Sequence, residues 1–390
     1  MESTSPVAIL TWFLAVLAAA GSVYQLLATF AVWRWRSKRD WRPTARPAVT
    51  LLKPLCGHET KLYDNLASFC RLDHPTVQIV FGVRDSKDAA IETVRRLQSD
   101  YPEADIELVI DQAIYGTNLK VSNLINMMAA ARHDVLVLSD SDMSVAPDYL
   151  DHILGTLERP DTGLATCLYI GDPLPGVWSE LGAAALNFWF LPSALVSKLL
   201  GGQVGCYGAT IALRRSTLAA VGGFAAVKDQ LADDYELGAL VRQTGQRVRV
   251  ARNVLKTTAD EPSFLSLFRH ELRWARTIRA TEPIGYAGSV ITHPVPLALS
   301  ALAVGLTAGV HWTILAALAV TAVACRFVLI ATVLAALEAP RLRWWLYLPR
   351  DILSLVVLVL AYCGRSVSWR RRAFTLDRAG SLVAEGETRL

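Results

Sequence analysis

Apolar and polar positions divide the chain into three stretches. Residues 8–32 (AILTWFLAVLAAAGSVYQLLATFAV) are free of charge and longer than the roughly 20 residues a helix needs to cross a bilayer. The run is too long for a cleaved signal peptide, and it lacks the basic start and small-residue exit of one. Residues 294–363 are apolar again, broken at Gly309-Val310-His311-Trp312 and at the polar EAPRLR of residues 338–343. Between these blocks, residues 47–280 carry the patterning of a water-soluble α/β domain.

Within that middle the period of apolar residues alternates between strand and helix. AVTLLKPL (48–55), VQIVFGV (Val77–Val83), IELVID and DVLVLSD read as strands. ETKLYDNLASFCRL, AAIETVRRLQSDYP and NLKVSNLINMMAAAR, which separate them, read as helices. Strands joined through helices of this length predict a mostly parallel sheet. Ligands of such sheets bind outside the carboxyl ends of the strands, and Lys53, Asp85 and Asp140 all stand at such ends.

The C-terminal block offers three candidate crossings, residues 294–309, 312–337 and 344–363. The tail after them, RSVSWRRR with Arg365, Arg370, Arg371 and Arg372, has the charge of a cytosolic segment. Three crossings would leave it outside and two inside, so either all three cross or one is interfacial or re-entrant. The expected divisions are a membrane anchor at 1–33, a cytosolic domain with interfacial helices at 34–280, a membrane region at 281–364 and a basic tail at 365–390.

Charge sets the orientation. Arg34, Arg36, Lys38, Arg39, Arg42 and Arg46 follow the first apolar run, which places the middle domain in the cytosol by the positive-inside rule. The formal net charge is only +4, and its basic residues gather beside the membrane segments. They predict contact with anionic lipid and fix topology; they do not form a nucleic-acid surface. A content of 53% hydrophobic residues points to an integral membrane protein with a globular middle. The six cysteines show no CxxC or zinc-type spacing, which fits a reducing compartment without disulfides or structural zinc.

Candidate chemistry begins at LVLSDSDMSV, where Asp140 and Asp142 leave a buried strand one residue apart. Mg²⁺ or Mn²⁺ is typically held by one or two carboxylates together with substrate phosphates, and it relieves the repulsion between them. The pair alone would equally suit solvated surface acids or a turn. AAALNFWFLPSALVSKLLGG, with Phe188, Trp189 and Phe190, fits a core helix or a helix lying at the bilayer surface. ADDYELG places Asp233, Asp234 and Glu236 in a first helical turn, where acids meet the helix dipole. HELRWARTIRA, preceded by Arg269, carries Arg273, Arg276 and Arg279 and fits a cationic membrane-surface helix.

The ordered set KPLCGHE, GVRD, GTNLKVSNL, SDSDM, GATIALRR, GGF, ADDYELG and HELRW resembles the membrane glycosyltransferases of the ceramide glucosyltransferase type, which include the hopanoid-biosynthesis-associated glycosyltransferases of bacteria. The resemblance covers almost the whole chain. It implies a GT-A fold with transmembrane helices at both ends, a UDP-sugar donor, a membrane lipid acceptor and inversion at the anomeric carbon. It implies Lys53, Asp85, Asn118, Lys120 and Asp140 on the donor side, Asp85 near the uracil or ribose, Asp140 and Asp142 at the metal and diphosphate, and Asp234 as base. His270, Arg273 and Trp274 match the family's (Gln or Arg)-x-x-Arg-Trp element, with His270 departing from its first position. That departure and the Ala/Arg-rich composition point to N-acetylglucosamine transfer onto a hopanoid such as bacteriohopanetetrol, at the inner membrane. Ceramide or diacylglycerol glucosyl transfer is the alternative. A transporter or lipid-binding scaffold is a weaker one, because the candidate spans hold few ionisable residues beyond His311 and Arg326.

Overall fold

The computed structural model describes residues 5–37, 41–202, 205–307, 309–369, 372–376 and 382–384. The chain divides into two compact units, one of residues 39–172, 203–258 and 380–390, the other of residues 1–38, 173–202 and 259–379. Residues 173–202 and 259–280 fall in the same compact unit as the long apolar helices. Leu181, Leu267 and Leu346 form one buried cluster there.

The first unit is built on an eight-stranded sheet: β1 (Val49–Pro54), β2 (Val77–Val83), β3 (Asp105–Ile110), β4 (Val135–Leu138), β5 (Met143–Ser144), β6 (Thr162–Pro173), β7 (Ile211–Arg214) and β8 (Arg247–Ala259). Their spatial order is β3-β2-β1-β4-β7-β6-β8-β5. The expected parallel ladder holds for β3, β2, β1 and β4. From β7 onward the pairings turn antiparallel, β4 with β7, β6 with β7, and β5 with β8. Continuous apolar runs suit strands covered on both faces. Leu51, Phe81 and Val137 face one core, while Leu52, Val80, Leu136 and Leu138 face the other.

The helix Leu119–Met127 packs closely over β2. A Cβ on Gly82 would lie 2.4 Å from Met127 Sδ and 2.6 Å from Asn123 Oδ1, so only glycine permits that approach. Arg46 is not purely a topology signal: it binds Asp151 with two hydrogen bonds, Nε to Oδ1 at 3.1 Å and NH2 to Oδ2 at 2.8 Å.

Among the described residues of the second unit, three helices are long and apolar enough to cross a membrane: Pro6–Ser37, Trp312–Leu337 and Trp344–Cys363. A further pair, Pro283–Thr292 and Pro294–Thr307, bends by 68° at its break. Pro294 causes the break, since a proline lacks the N–H that would continue the helix and excludes the residue before it from helical geometry. Phe188 is buried, and its ring meets that of Tyr347 edge-on at 5.4 Å; the core reading of the aromatic cluster therefore holds at this residue.

The expectation that the spans hold little beyond His311 and Arg326 is corrected by Arg350 and Asp351. Arg326 donates to both carboxylate oxygens of Asp351, at 2.9 and 2.7 Å, and to the Phe188 carbonyl at 2.6 Å. Arg350 pairs with Glu271. Charges are tolerated at such depth when paired and hydrogen-bonded.

Candidate active site

Asp140 and Asp142 sit in the tight connection from β4 to β5. Met143 pairs with Thr257 and Ser144 with Lys256, and Thr257 Oγ1 donates to Asp142 Oδ2 at 2.7 Å. Burial, and then neighbouring Asp140, raise the proton affinity of Asp142 against the opposing pull of Thr257 and Lys53.

Lys53 is the penultimate residue of β1, one step beyond the Leu52–Leu138 pair. Its side chain is fully buried, 3.7 Å from the Phe69 ring centroid. Nζ donates to the Asp140 carbonyl at 2.6 Å and to Ser139 Oγ at 3.3 Å. Burial pulls the ammonium down to about 7, against Asp140, Asp142 and Glu59. The expected donor ligand is thus engaged with the backbone that carries Asp140.

Lys120 comes from the Leu119–Met127 helix, whose N-terminus Asn118 caps. Asn118 Oδ1 accepts from the Lys120 and Val121 amides, and its Nδ2 donates to the Gln230 carbonyl at 2.8 Å. Asn118 is therefore occupied in aiming the helix, and Lys120 is the group that reaches the acids. Its Nζ lies 2.6 Å from Asp140 Oδ1 and 3.7 Å from Asp233 Oδ2. Burial alone would lower Lys120, but Asp140 and Asp233 outweigh it and hold the ammonium above its ordinary range.

Asp233 and Asp234 open the helix Asp233–Gln243. Asp233 faces Lys120. Asp234 Oδ2 accepts from the Gly208 amide at 2.8 Å and Oδ1 from the Tyr235 amide at 2.8 Å. Burial, followed by Asp233, raises Asp234 to about 6, with Lys120 and the Tyr235 amide opposing.

Gly208 is the point where these groups converge. A Cβ there would lie 3.2 Å from Asp140 Oδ2 and 3.3 Å from Asp234 Oδ2. The strand-end carboxylate and the helix-start carboxylate therefore flank one bare stretch of backbone, with Lys120 beside them. The hydroxyl of Thr257 gave no signal in the sequence. Asp85, beyond the end of β2, is exposed, and its Oδ1 accepts from the Lys87 amide at 2.9 Å.

His270, Arg273 and Trp274 lie in the other unit, on the helix Phe264–Thr281. His270 Nδ1 is 2.6 Å from Glu261 Oε1, and Ser266 Oγ donates to Glu261 Oε2 at 2.6 Å. The Trp274 ring meets His270 edge-on at 5.1 Å. Burial pulls Arg273 down to about 10 against the opposing charge of Glu261. Glu261, the buried centre of this cluster, was not singled out in the sequence.

Among the described residues no three histidines, cysteines or acids converge as a ready-made metal cage. Asp140, Asp142, Asp233 and Asp234 nevertheless outnumber Lys53 and Lys120, and desolvation followed by the Asp140 charge raises the proton affinity of the Asp142 carboxyl. Two hard oxygens in such a field fit Mg²⁺ or Mn²⁺ whose remaining positions are filled by substrate phosphate.

One solved structure shares this fold, and curated proteins are similar in sequence. A mannosyltransferase from Pyrobaculum calidifontis in complex with GDP-Man and Mn²⁺ superposes with a TM-score of 0.58 at 20% identity, covering 90% of this chain and 99% of that one. Ceramide glucosyltransferase 1 of Caenorhabditis elegans is 25% identical over 257 residues, 65% of this chain and 54% of the relative. Ceramide glucosyltransferase 3 of the same organism is 24% identical over 236 residues, 59% of this chain and 50% of the relative. The chain thus spans about half the length of these curated relatives. The fold is a GT-A-like α/β fold with apolar helices in its N- and C-terminal regions. The profile of Glycosyl transferase family 21 matches residues 13–382, and the chain belongs to that family.

Proposed function

We propose that this protein transfers a sugar from a UDP-sugar to a hydroxyl group of a membrane lipid, with inversion, and that the lipid is a ceramide or a close analogue. The observation that carries the reading is the meeting of Asp140 and Asp234 at Gly208 with Lys120 beside them. One step needs both ends of that arrangement. Asp234 takes the proton of the acceptor hydroxyl as its oxygen bonds to the anomeric carbon. The bond from that carbon to the diphosphate oxygen breaks, and the departing negative charge develops toward Lys120. A divalent ion held by Asp140 and Asp142 would neutralise the same charge. Only one base is required, in contrast to the two-step chemistry of retaining enzymes. Asp233, held near Lys120, keeps its ammonium in place.

For His270, Arg273 and Trp274 the reading keeps the catalytic assignment that the motif resemblance implies, with Glu261 fixing the imidazole. The relatives named as ceramide glucosyltransferases support a ceramide-type acceptor above the hopanoid that His270 suggested. The cytosolic face of the inner membrane is the proposed location, from the basic residues flanking the spans.

The test is direct. The purified full chain, with Mn²⁺ or Mg²⁺, is offered UDP-glucose or UDP-N-acetylglucosamine with ceramide, diacylglycerol or bacteriohopanetetrol. The expected result is UDP release with a glycosylated ceramide identified by mass spectrometry. Product on bacteriohopanetetrol alone would overturn the acceptor, and no lipid-dependent UDP release would overturn the reaction.

A further inference from the structure

On the helix Phe264–Thr281, Leu267, Glu271 and Ala275 stand four residues apart and share one face. Leu267 and Ala275 are buried. Along the span Trp344–Cys363, Leu346, Arg350, Leu353 and Val357 recur at spacings of three and four and likewise share a face. The two faces meet. Leu267 clusters with Leu346, and Ala275 with Val357 and Leu358, while Leu353 packs against both groups. His270 and Trp274, also four residues apart, occupy a different face, ring against ring at 5.1 Å.

Glu271 and Arg350 interrupt this apolar seam between its two clusters. Arg350 donates from both terminal nitrogens to the two Glu271 oxygens, with NH2 to Oε2 at 2.7 Å. Its side chain is only 4% exposed. Ser354 Oγ accepts from its Nε at 3.1 Å, and the Leu181 carbonyl accepts from NH1 at 3.4 Å. The neighbouring Asp351 points about 100° away and accepts two bonds from Arg326 of the helix Trp312–Leu337. Arg350 therefore stands on a helix that is itself tied in place.

A buried ion pair adds little net stability over apolar side chains of similar volume; its best-attested use is to fix register, because a slipped alignment leaves both charges unpaired. Apolar contacts alone tolerate a slide of one turn, about 5.4 Å, whereas a two-pronged guanidinium–carboxylate contact is geometrically specific. Any slide or rotation of the helix Phe264–Thr281 would carry His270, Arg273 and Trp274 with it. The far end of that helix is held separately, by Arg279 donating to the Gly364 carbonyl at 2.7 Å. Loss of the pair should thus loosen the middle of the helix without releasing it.

We infer that Arg350 and Glu271 form a register lock that positions His270, Arg273 and Trp274 for the reaction. Both are positioning residues, acting through the helix, and the inference rests on the proposed catalytic role of those three side chains.

The experiment compares the full chain in detergent with the double variant Glu271→Leu with Arg350→Met, which replaces the pair by apolar side chains. The expected result is a Tm equal to or above that of the wild type and a kcat lower by about tenfold or more, with the KM for UDP-sugar unchanged. Amide hydrogen exchange of residues 268–277, read by mass spectrometry, should quicken. Arg350→Lys keeps the charge but offers a single point of contact, so its kcat and exchange should fall between the two. Wild-type kcat or wild-type exchange in the double variant would overturn the lock. So would a loss of rate that vanishes once activity is referred to folded protein, since the pair would then be a stabiliser only. If the double variant does not fold, Arg350→Lys decides by the same readouts. Exchange is read without substrate. A wild type that releases no UDP would overturn the glycosyl-transfer reading and leave exchange to decide the lock.

Discussion

Asp233 and Asp234 are adjacent in sequence, yet their environments divide them. Successive residues of a helix point about 100° apart; Asp233 faces Lys120, while Asp234 accepts the Gly208 amide at the meeting point with Asp140. Asp234→Asn keeps the shape and removes proton acceptance, so kcat is expected to fall about 10²-fold or more with UDP-sugar affinity nearly intact. Asp233→Asn leaves Lys120 paired with Asp140 and is expected to cost no more than about tenfold, equivalent to a lost interaction on the order of 1 kcal/mol. The raised Asp234 carboxyl, about 6, adds a pH signature. A base works only when deprotonated, so the rate should fall as pH drops below about 6, and this limb should vanish from the residual activity of Asp234→Asn. Stability runs the opposite way. The folded state holds this proton more tightly than the unfolded state, so the group's stabilising contribution is full at low pH and lost as pH rises through 6. Asparagine can accept only one of the Gly208 and Tyr235 amides, a loss that does not vary with pH; the wild-type Tm should fall relative to that of the variant as pH rises from 5 to 7, and a constant difference would contradict the raised Asp234 carboxyl.

At the scale of elements, the connection between β4 and β5 holds the metal side of the proposed chemistry. Asp140→Ala and Asp142→Ala are each expected to abolish metal-dependent turnover, and chelation should do the same to the wild type. Full activity of both variants in chelator would remove the metal assignment. Lys53→Met keeps a buried chain of similar length but frees the Asp140 carbonyl. It should weaken Mn²⁺ binding several-fold by paramagnetic resonance titration, because an anchored ligand loses less entropy on binding; an unchanged affinity would leave Lys53 without that role. The four parallel strands and their carboxyl ends were legible because their apolar runs are local and the helices between them carry their own period. The position of Asp140 and Asp142 just past a strand end was legible for the same reason, whereas Lys120 came only from the motif resemblance. The antiparallel half was not: β4 meets β7, and β5 meets β8, across separations that no local pattern encodes. Lys53 was legible as a strand-end lysine but not as a buried one, because its direction depends on the Phe69 ring and the β4 terminus. Glu261 escaped notice because a lone acid before a helix gives no sign that Ser266 and His270 will close around it.

At the scale of the whole molecule the N-terminal helix is more than a tether. Ala15 and Ala18 pack with Ala301, Leu315, Val295 and Ala298, and Gly21 lies so close to the bent pair that a Cβ would stand 2.4 Å from the Ile291 carbonyl oxygen. Removing the first 33 residues should therefore reduce lipid-acceptor use far more than UDP-sugar binding, measured side by side in detergent. An equal loss of both would place donor contacts in the anchor.

Topology then depends on whether the bent pair crosses. Its longer arm, Pro294–Thr307, has 14 residues and so reaches only ~21 Å at 1.5 Å per residue, short of the roughly 30 Å hydrocarbon core. The 68° bend prevents the two arms from adding end to end. A re-entrant pair leaves Pro6–Ser37, Trp312–Leu337 and Trp344–Cys363 as the crossings. With the large soluble unit cytosolic, the last two then return the tail to the cytosol, in agreement with Arg365 and the basic run after Trp369. A crossing pair would put that basic tail outside. The prediction is made on an active variant whose native cysteines are replaced by serine and which carries Arg372→Cys. A thiol reagent unable to cross the inner membrane should leave the new cysteine unlabelled in intact cells and label it once the membrane is permeabilised. Labelling in intact cells would mean that the bent pair spans the bilayer and that the tail's charge does not set its side.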